Sequence, residues 1–493
     1  MNYISTRDSD NSVSATFAIA TGLARDGGLF VPERIPEITA ADIERLRASD
    51  YKRRFVEISS LFSDEFSEDE LSEFADKAYG EGFDSPDPAP LRRIDADTAF
   101  LELWHGPTCA FKDMALRMLP LLLTASLKKR GETRKVCVAV ATSGDTGKAA
   151  LEGFRDVDGT CIIVFYPMDG VSEVQKRQMI TQQGENVWVC AVNGNFDDAQ
   201  SGVKDIFSDR GFTDMLSEKG FLLSSANSIN WGRLMPQIVY YVSAYCECVN
   251  SGMIKPNDKI NFCVPTGNFG NILAGLYAKR MGLPVNRFIC ASNKNNVLTD
   301  FIGTGVYNVN RPFYTTASPS MDILISGNLE RLLFEICRNP AEVSGYMADL
   351  SSKGLYEVSP EIKESIKSEF SGGFCDDSDT KLSIAGIWKK HGYLTDTHTA
   401  VACKVLEDFR ANTGDMTVTV VTSTASPFKF CEDVSDALGG KKGTGKDPIE
   451  ALAALTGEKP PKPLSGLSER KIRFFDRVDR KDMREAISGF LFR

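Results

Sequence analysis

Histidine is nearly missing from this chain: His105, His391 and His398 are the only three in 493 residues. A histidine-built metal centre would lack ligands, and no metal site is expected. Cysteine occurs twelve times but never in a C-x-x-C spacing, and the nearest two, Cys246 and Cys248, sit in an apolar helical stretch. That excludes a disulfide framework and points to buried thiols in a reducing compartment, with the cytoplasm the expected location. Positive charge is in deficit: 57 Lys and Arg against 67 Asp and Glu give a net charge of −10, which argues against a nucleic-acid or anionic-membrane partner. Apolar runs such as Leu119–Ala125 are far too short to span a bilayer. The opening MNYISTRDSDNSVS has no apolar segment of the kind a secretion signal carries. No internal repeat appears.

What is present is an ordinary globular composition, 42% hydrophobic and 25% charged, long enough for roughly three domains at about 150 residues each. Residues 1–92 read as a mixed N-terminal unit, with turn glycines and prolines in GLARDGGLFVPERIP (22–36), helical spacing over 41–80 and a linker-like DSPDPAP at 84–90. Beyond it, short apolar runs at 135–142, 160–166, 186–192, 259–265, 286–292 and 416–424 alternate with helical patterns at 147–155, 172–182, 198–208, 231–249 and 270–281. Runs apolar on both faces and separated by helices predict parallel sheets covered on each side. The expected fold is α/β, with two parallel-sheet units (93–250 and 251–493) around a cleft and the N-terminal mixed unit beside them. The long apolar segment Met114–Leu127 reads as one helix. Residues 360–380, charged and broken by glycines, read as a solvated excursion, and those after 431 as a flexible connector ending in a charged helix.

Ligands of open parallel sheets collect beyond the carboxyl ends of strands. Three small, polar turns fall there: 143–147 (SGDTG), 266–271 (TGNFGN) and 422–427 (TSTASP). The second is the best anion cradle, because its glycines let backbone N–H groups converge and the helix that follows opens without an acid. A glycine-relaxed helix start explains the same string without a ligand. The related 193–198 (NGNFDD) carries two carboxylates at its helix start and reads as an N-cap. In the first turn Asp145 would repel a bare phosphate, so a ligand with a carboxylate and donor groups, such as an amino acid, suits it better. Two nucleotide-site mimics are dismissed: Gly144–Lys148 is too short for a P-loop, and Gly440–Asp447 puts Asp447 where a Mg²⁺-binding hydroxyl belongs.

The segment His105–Asp113 (HGPTCAFKD) places a lone lysine, Lys112, ahead of an apolar run. Buried, it would be an amine nucleophile or base; exposed, it is a snorkelling lysine paired with Asp113. Further on, Asn227, Ser228 and Asn230 open an apolar helix with Arg233 one turn later. As capping residues they need no function; as a cluster they could hold a phosphate through the arginine fork.

HGPTCAFKD resembles the lysine segment of threonine synthases, pyridoxal-phosphate enzymes of the tryptophan-synthase β-like fold (fold type II). YISTR with GGLFVP, TSGDTGKAA, SSANSINWGR, PTGNFGN, DTHTA and STASPFKF are similar to that family's motifs and follow its order, over residues 3–431. The resemblance implies pyridoxal 5'-phosphate as cofactor, Lys112 as its Schiff-base lysine, and Gly267, Asn268, Phe269, Gly270 and Asn271 as its phosphate cradle. It implies Thr424 at the pyridine nitrogen, Thr142, Ser143, Asp145 and Thr146 on the substrate carboxylate, and Ser228 and Arg233 on the substrate phosphate. DTHTA receives only a structural role. Family members often carry histidine where this chain has Ser426. The implied reaction turns O-phospho-L-homoserine and water into L-threonine and phosphate, in a monomer or homodimer that binds neither nucleic acid nor membrane. The alternatives are a lyase that releases 2-oxobutyrate from the same substrate, a serine or threonine dehydratase, and a non-catalytic pyridoxal-phosphate or amino-acid binding module.

Overall fold

The computed structural model describes residues 1–142, 144–168, 171–440 and 447–492. Two parallel sheets dominate it. The larger has the strand order Phe370–Phe374, Val285–Ser292, Ile260–Pro265, Thr419–Ser423, Thr98–Glu102 and Leu91–Arg93, of which only the last runs antiparallel to its neighbour. The smaller has the order Arg477–Val478, Val187–Val192, Thr160–Pro167, Lys135–Ala141 and Phe221–Ser224, parallel throughout. The sheets do not follow the stretches 93–250 and 251–493, because Thr98–Glu102 pairs into the later sheet and Arg477–Val478 into the earlier one.

The double-sided apolar pattern produces this layering directly. Along the smaller sheet Val136, Val138 and Val164 pack into one cluster, while Cys137, Ala139 and Phe165 pack into another on the opposite face. Successive side chains of a strand point to opposite faces, so a run apolar at every position needs cover on both. The last helix, Met483–Leu491, supplies part of that cover: Met483 and Ile487 are buried in the second cluster, and Phe490 stacks on Trp188 at 5.4 Å between centroids. The stretch after 431 is thus packed rather than a loose connector. Cys431, Val434, Ile449 and Leu452 form a further cluster on the Cys431–Ala437 and Pro448–Thr456 helices. The interior of the Gly440–Asp447 string lies outside the described residues.

Two other expectations change. Residues 360–380 are not a solvated excursion: Pro360–Glu369 is a helix and Phe370–Phe374 the edge strand of the larger sheet. Its glycines serve close packing, since a Cβ on Gly373 would lie 2.5 Å from Val405 Cγ1. The Met114–Leu127 segment is two helices, Asp113–Leu116 and Leu119–Lys129. Pro120 has no N–H to continue the first helix and sits where a helix begins.

The N-terminal unit is an antiparallel sheet, Val13–Ser14, Asn2–Ser5 and Phe30–Pro32, with four helices, Ala15–Thr21, Ala40–Arg47, Tyr51–Phe62 and Glu68–Tyr79. It packs on the 20-residue helix Trp231–Asn250, where Tyr3 and Phe62 both contact Trp231, at 5.4 and 5.6 Å between centroids. Among the described residues no helix is long and apolar enough to cross a membrane.

Because Ile487 is fully buried against the smaller sheet, Ile487→Ala should cost about 2–4 kcal/mol. Thermal and urea unfolding of the full chain will show it as a lowered midpoint, whereas truncation of the exposed Phe492 side chain should leave the midpoint within error.

Candidate active site

Turns at the carboxyl ends of strands from both sheets line one cavity of about 230 Å³. Thr142, Asp145 and Thr146 follow the Lys135–Ala141 strand, residues 266–271 follow Ile260–Pro265, and Thr424 follows Thr419–Ser423. Lys112, Ser228 and Arg233 open into the same space. Every described site residue expected from the sequence therefore meets at one place; Ser143 lies outside the described residues.

At 266–271 the chain is shaped to turn its backbone toward the cavity. Phe269 is left-handed, with φ +59°, directly before the helix Gly270–Met281, whose first turn carries no acid. Gly267 lies against the 318–322 segment, where a Cβ would come within 2.6 Å of Ser320 O. Asn271 is buried; its Oδ1 accepts from Tyr240 and Tyr241 at 2.6 and 2.8 Å, while its Nδ2 has no partner. A free amide donor and a helix N-terminus on one cavity suit an anion. The similar string at 193–198 behaves differently, as expected: Asn195 caps the Phe196–Ser208 helix in a capping box with Asp198.

Lys112 is buried and does not pair with Asp113, whose carboxylate instead accepts from Thr108 N–H and Oγ1–H at 2.8 and 2.7 Å. Its ammonium donates to Ser320 Oγ at 3.3 Å and lies 3.6 Å from Asp145 Oδ2. Burial pushes Lys112 down to about 8; Asp145 opposes this, and the like charges of Lys429 and Arg233 add to it. Asp145 also accepts from Lys429 at 2.7 Å, Gln175 at 2.8 Å and Ser320 Oγ–H at 3.1 Å. Burial alone would raise this carboxyl, but the two ammoniums outweigh it and hold Asp145 far below the usual carboxylate range.

Sequence reasoning missed two residues here. Lys429, in STASPFKF, is wholly buried and also donates to Thr108 O at 2.9 Å. His398, in DTHTA, lines the cavity: its Nε2 accepts from Ser320 N–H at 3.1 Å and its Nδ1 faces Asp396 Oδ1 at 2.9 Å. The signals were a lysine between two phenylalanines and a histidine two residues after an aspartate. Neither reveals its target without the fold.

Arg233 is the second electrostatic feature of the cavity. Its guanidinium is buried and donates to Ala226 O at 2.7 Å, Nε has no partner, and among the described residues no carboxylate pairs with it. Burial lowers it to about 10. A buried, unpaired cation facing a cavity is costly unless an anion joins it. Ser228 Oγ accepts from Asn268 Nδ2, which ties this wall to the 266–271 turn. Behind both, Arg331 donates to Phe30 O and Ile229 O and, at 2.7 Å, to Asn328 Oδ1, while Asn328 Nδ2 donates to Asn268 O at 3.0 Å. Thr6 and Arg7 of YISTR bind the neighbouring Glu330. The two N-terminal motifs thus brace the wall from behind.

Comparison with known proteins agrees with this geometry. Residues 2–79 match the family described as threonine synthase N terminus, 88–423 that of pyridoxal-phosphate dependent enzymes, and 399–487 that of threonine synthase, C-terminal. The last match corrects the expectation that the likeness fades near 431. The chain is 40% identical over 455 residues to human threonine synthase-like 1, covering 88% of this chain but only 60% of that protein, less than two thirds of its length. It is 39% identical over 440 residues to the threonine synthase of Pseudomonas aeruginosa, covering 89% of this chain and 90% of that one. The crystal structure of PLP-bound threonine synthase from Brucella melitensis is similar over 99% of both chains, with a TM-score of 0.87 and 38% identity.

At the head of the Lys112 segment, His105 is clamped between Asp84 Oδ1 at 2.6 Å and Glu102 Oε2 at 2.9 Å. Burial would lower its pKa, but the two carboxylates together carry it up to about 9. A folded-state value above the ordinary 6.5 means the clamp stabilises fully below about pH 6.5 and fades as pH rises through about 9. Melting temperatures of His105→Gln should lack that decline over this window; parallel profiles for variant and wild type would contradict the clamp.

Proposed function

The chain belongs to the threonine synthase family of pyridoxal-phosphate-dependent enzymes, and from that premise we propose that it converts O-phospho-L-homoserine and water into L-threonine and phosphate. The observation that carries this reading is one cavity in which a buried lysine lies among two separate anion-seeking features, the 266–271 turn and the unpaired Arg233. A dehydratase acting on serine or threonine has no use for the second.

The residues present fit the cofactor. Gly267–Asn271 would hold its phosphate at the helix N-terminus, with the unpartnered Asn271 Nδ2 among the donors. Thr424 would give its pyridine nitrogen a neutral hydroxyl, which does not force protonation as a carboxylate would. When bound, pyridoxal phosphate supplies the electron sink that makes substrate carbon protons removable.

Lys112 is the base: at a pKa of about 8, about a tenth of it is neutral at pH 7, against roughly one lysine in a few thousand at the ordinary value. It would take the proton first from Cα and later from Cβ. Ser228 and Arg233 would bind the γ-phosphate, Arg233 through the fork its free Nε leaves open. The guanidinium then neutralises the charge that builds on the departing phosphate oxygen. The substrate carboxylate would meet Thr142, Thr146 and the backbone of their turn. Thr142 Oγ1 already accepts from Gly144 and Gly147 N–H, both at 2.9 Å, which leaves its hydroxyl hydrogen to donate. The Asp145 carboxylate is occupied by Lys429 and Gln175, so it positions the turn rather than touching the substrate carboxylate. The twelve cysteines, all free thiols, support work in a reducing compartment such as the cytoplasm.

Incubation of the holoenzyme with O-phosphohomoserine should give mainly threonine, with phosphate in equal amount; mainly 2-oxobutyrate would make the protein a lyase instead. Lys112→Ala should abolish turnover. Arg233→Ala should raise KM for the phosphorylated substrate about 10- to 100-fold with a smaller effect on kcat, and unchanged kinetics would remove Arg233 from the site.

A further inference from the structure

The reaction needs one lysine, yet the structure buries two on the same carboxylate. Lys112 and Lys429 approach opposite oxygens of Asp145, at 3.6 and 2.7 Å. Lys429 is the more committed of the pair: it has no exposed surface, the shorter contact, and a second bond to Thr108 O within the Lys112 segment. Asp145 heads the helix that follows the smaller sheet, whereas Lys429 and the Lys112 segment follow strands of the larger sheet. The Lys429–Asp145 bond therefore crosses the cleft.

A carboxylate shared by two ammoniums forms a cluster of net charge +1. With one strong partner already on Asp145, loss of the proton from Lys112 leaves a compensated pair behind. Without Lys429, the same loss would strand a buried carboxylate with no cation, an arrangement that costs several kcal/mol. Resting on the reading of Lys112 as the cofactor lysine, we propose that Lys429 is a positioning residue whose ammonium holds Asp145 across the cleft and frees the Lys112 amine from that carboxylate to react. The charged groups that face Lys112 are Asp145, Lys429 and Arg233, and Asp113 and Cys109 face Lys429 from the segment beside it. Of these only Asp145 opposes release of the Lys112 proton, and Lys429 is the group bonded to it.

The test follows capture of pyridoxal phosphate by the full-length protein, freed of cofactor and remixed, as absorbance of the lysine-bound form against pH. In capture the neutral amine adds to the aldehyde carbon and water leaves, so the midpoint reports the amine. Lys429→Gln, which keeps a donor but not the charge, should move the midpoint up by about one pH unit and slow capture at pH 7 about tenfold. Lys429→Arg should keep the wild-type midpoint. A folded Lys429→Gln protein with the wild-type midpoint overturns the proposal. If Lys429→Gln does not fold, Lys429→Arg decides: folded with the wild-type midpoint it supports the proposal, and unfolded or shifted it defeats it. Lys112→Ala separates the two readings, because capture with the same band in that variant would refute the cofactor lysine itself.

Discussion

The buried carboxylate of Asp145 ties the two sheets together at the floor of their shared cavity. It stands at the start of the Asp145–Phe154 helix, after a strand of the smaller sheet, and its partners come from segments that leave the larger one. Three charges out of water cost several kcal/mol each unless their geometry is good. The arrangement holds only while carboxylate and ammoniums stay within bonding distance, so the width of the cavity is set by it. Gln175 and Ser320 fill the remaining lone pairs of the carboxylate, and His398 fixes Ser320 through its backbone N–H. The walls are thus joined through hydrogen-bonded groups at the cavity, and through apolar contact of Val174 with Cys109, Ala425 and Phe428 beside it.

The N-terminal unit adds a second constraint. Arg331 is wholly buried and satisfied chiefly by carbonyls, those of Phe30, Ile229 and the Asn328 side chain. Each belongs to a different segment, and through Asn328 the bond reaches the Asn268 backbone. The 266–271 turn can adopt its strained left-handed Phe269 because the surroundings determine the backbone on several sides. This gives the N-terminal motifs a physical reason to accompany a cavity they do not line.

Much of this was legible in the sequence because the decisive signals were local. Strand runs apolar at every position announced sheets covered on both faces, and the helix at Gly270–Met281 fell where its spacing placed it. The turns at strand ends converge because parallel sheets send their carboxyl ends the same way. What could not be read were partners distant in sequence. Lys429 meets Asp145 across the two sheets, and His398 meets Ser320 from 78 residues away. The edge strand Phe370–Phe374 was misread for a related reason: its glycines look like loop residues until Thr299 and Val405 press against them. In the C-terminal stretch, charged residues masked the spaced apolar positions of Met483, Ala486 and Ile487.

That stretch has a consequence for how the chain is made. Val187–Val192 lies one strand from the edge of the smaller sheet only because Arg477–Val478 pairs beside it, and the Met483–Leu491 helix covers the same face. A chain emerging from the ribosome N-terminus first completes the other strands of that sheet long before these residues exist. Throughout that interval a strand rich in valine, with Trp188 and Cys190 on the face awaiting its cover, presents an open edge, the kind of surface to which other chains add. Residues 477–491 therefore close that edge and cover that face, and a nascent chain exposes both until they have emerged and docked.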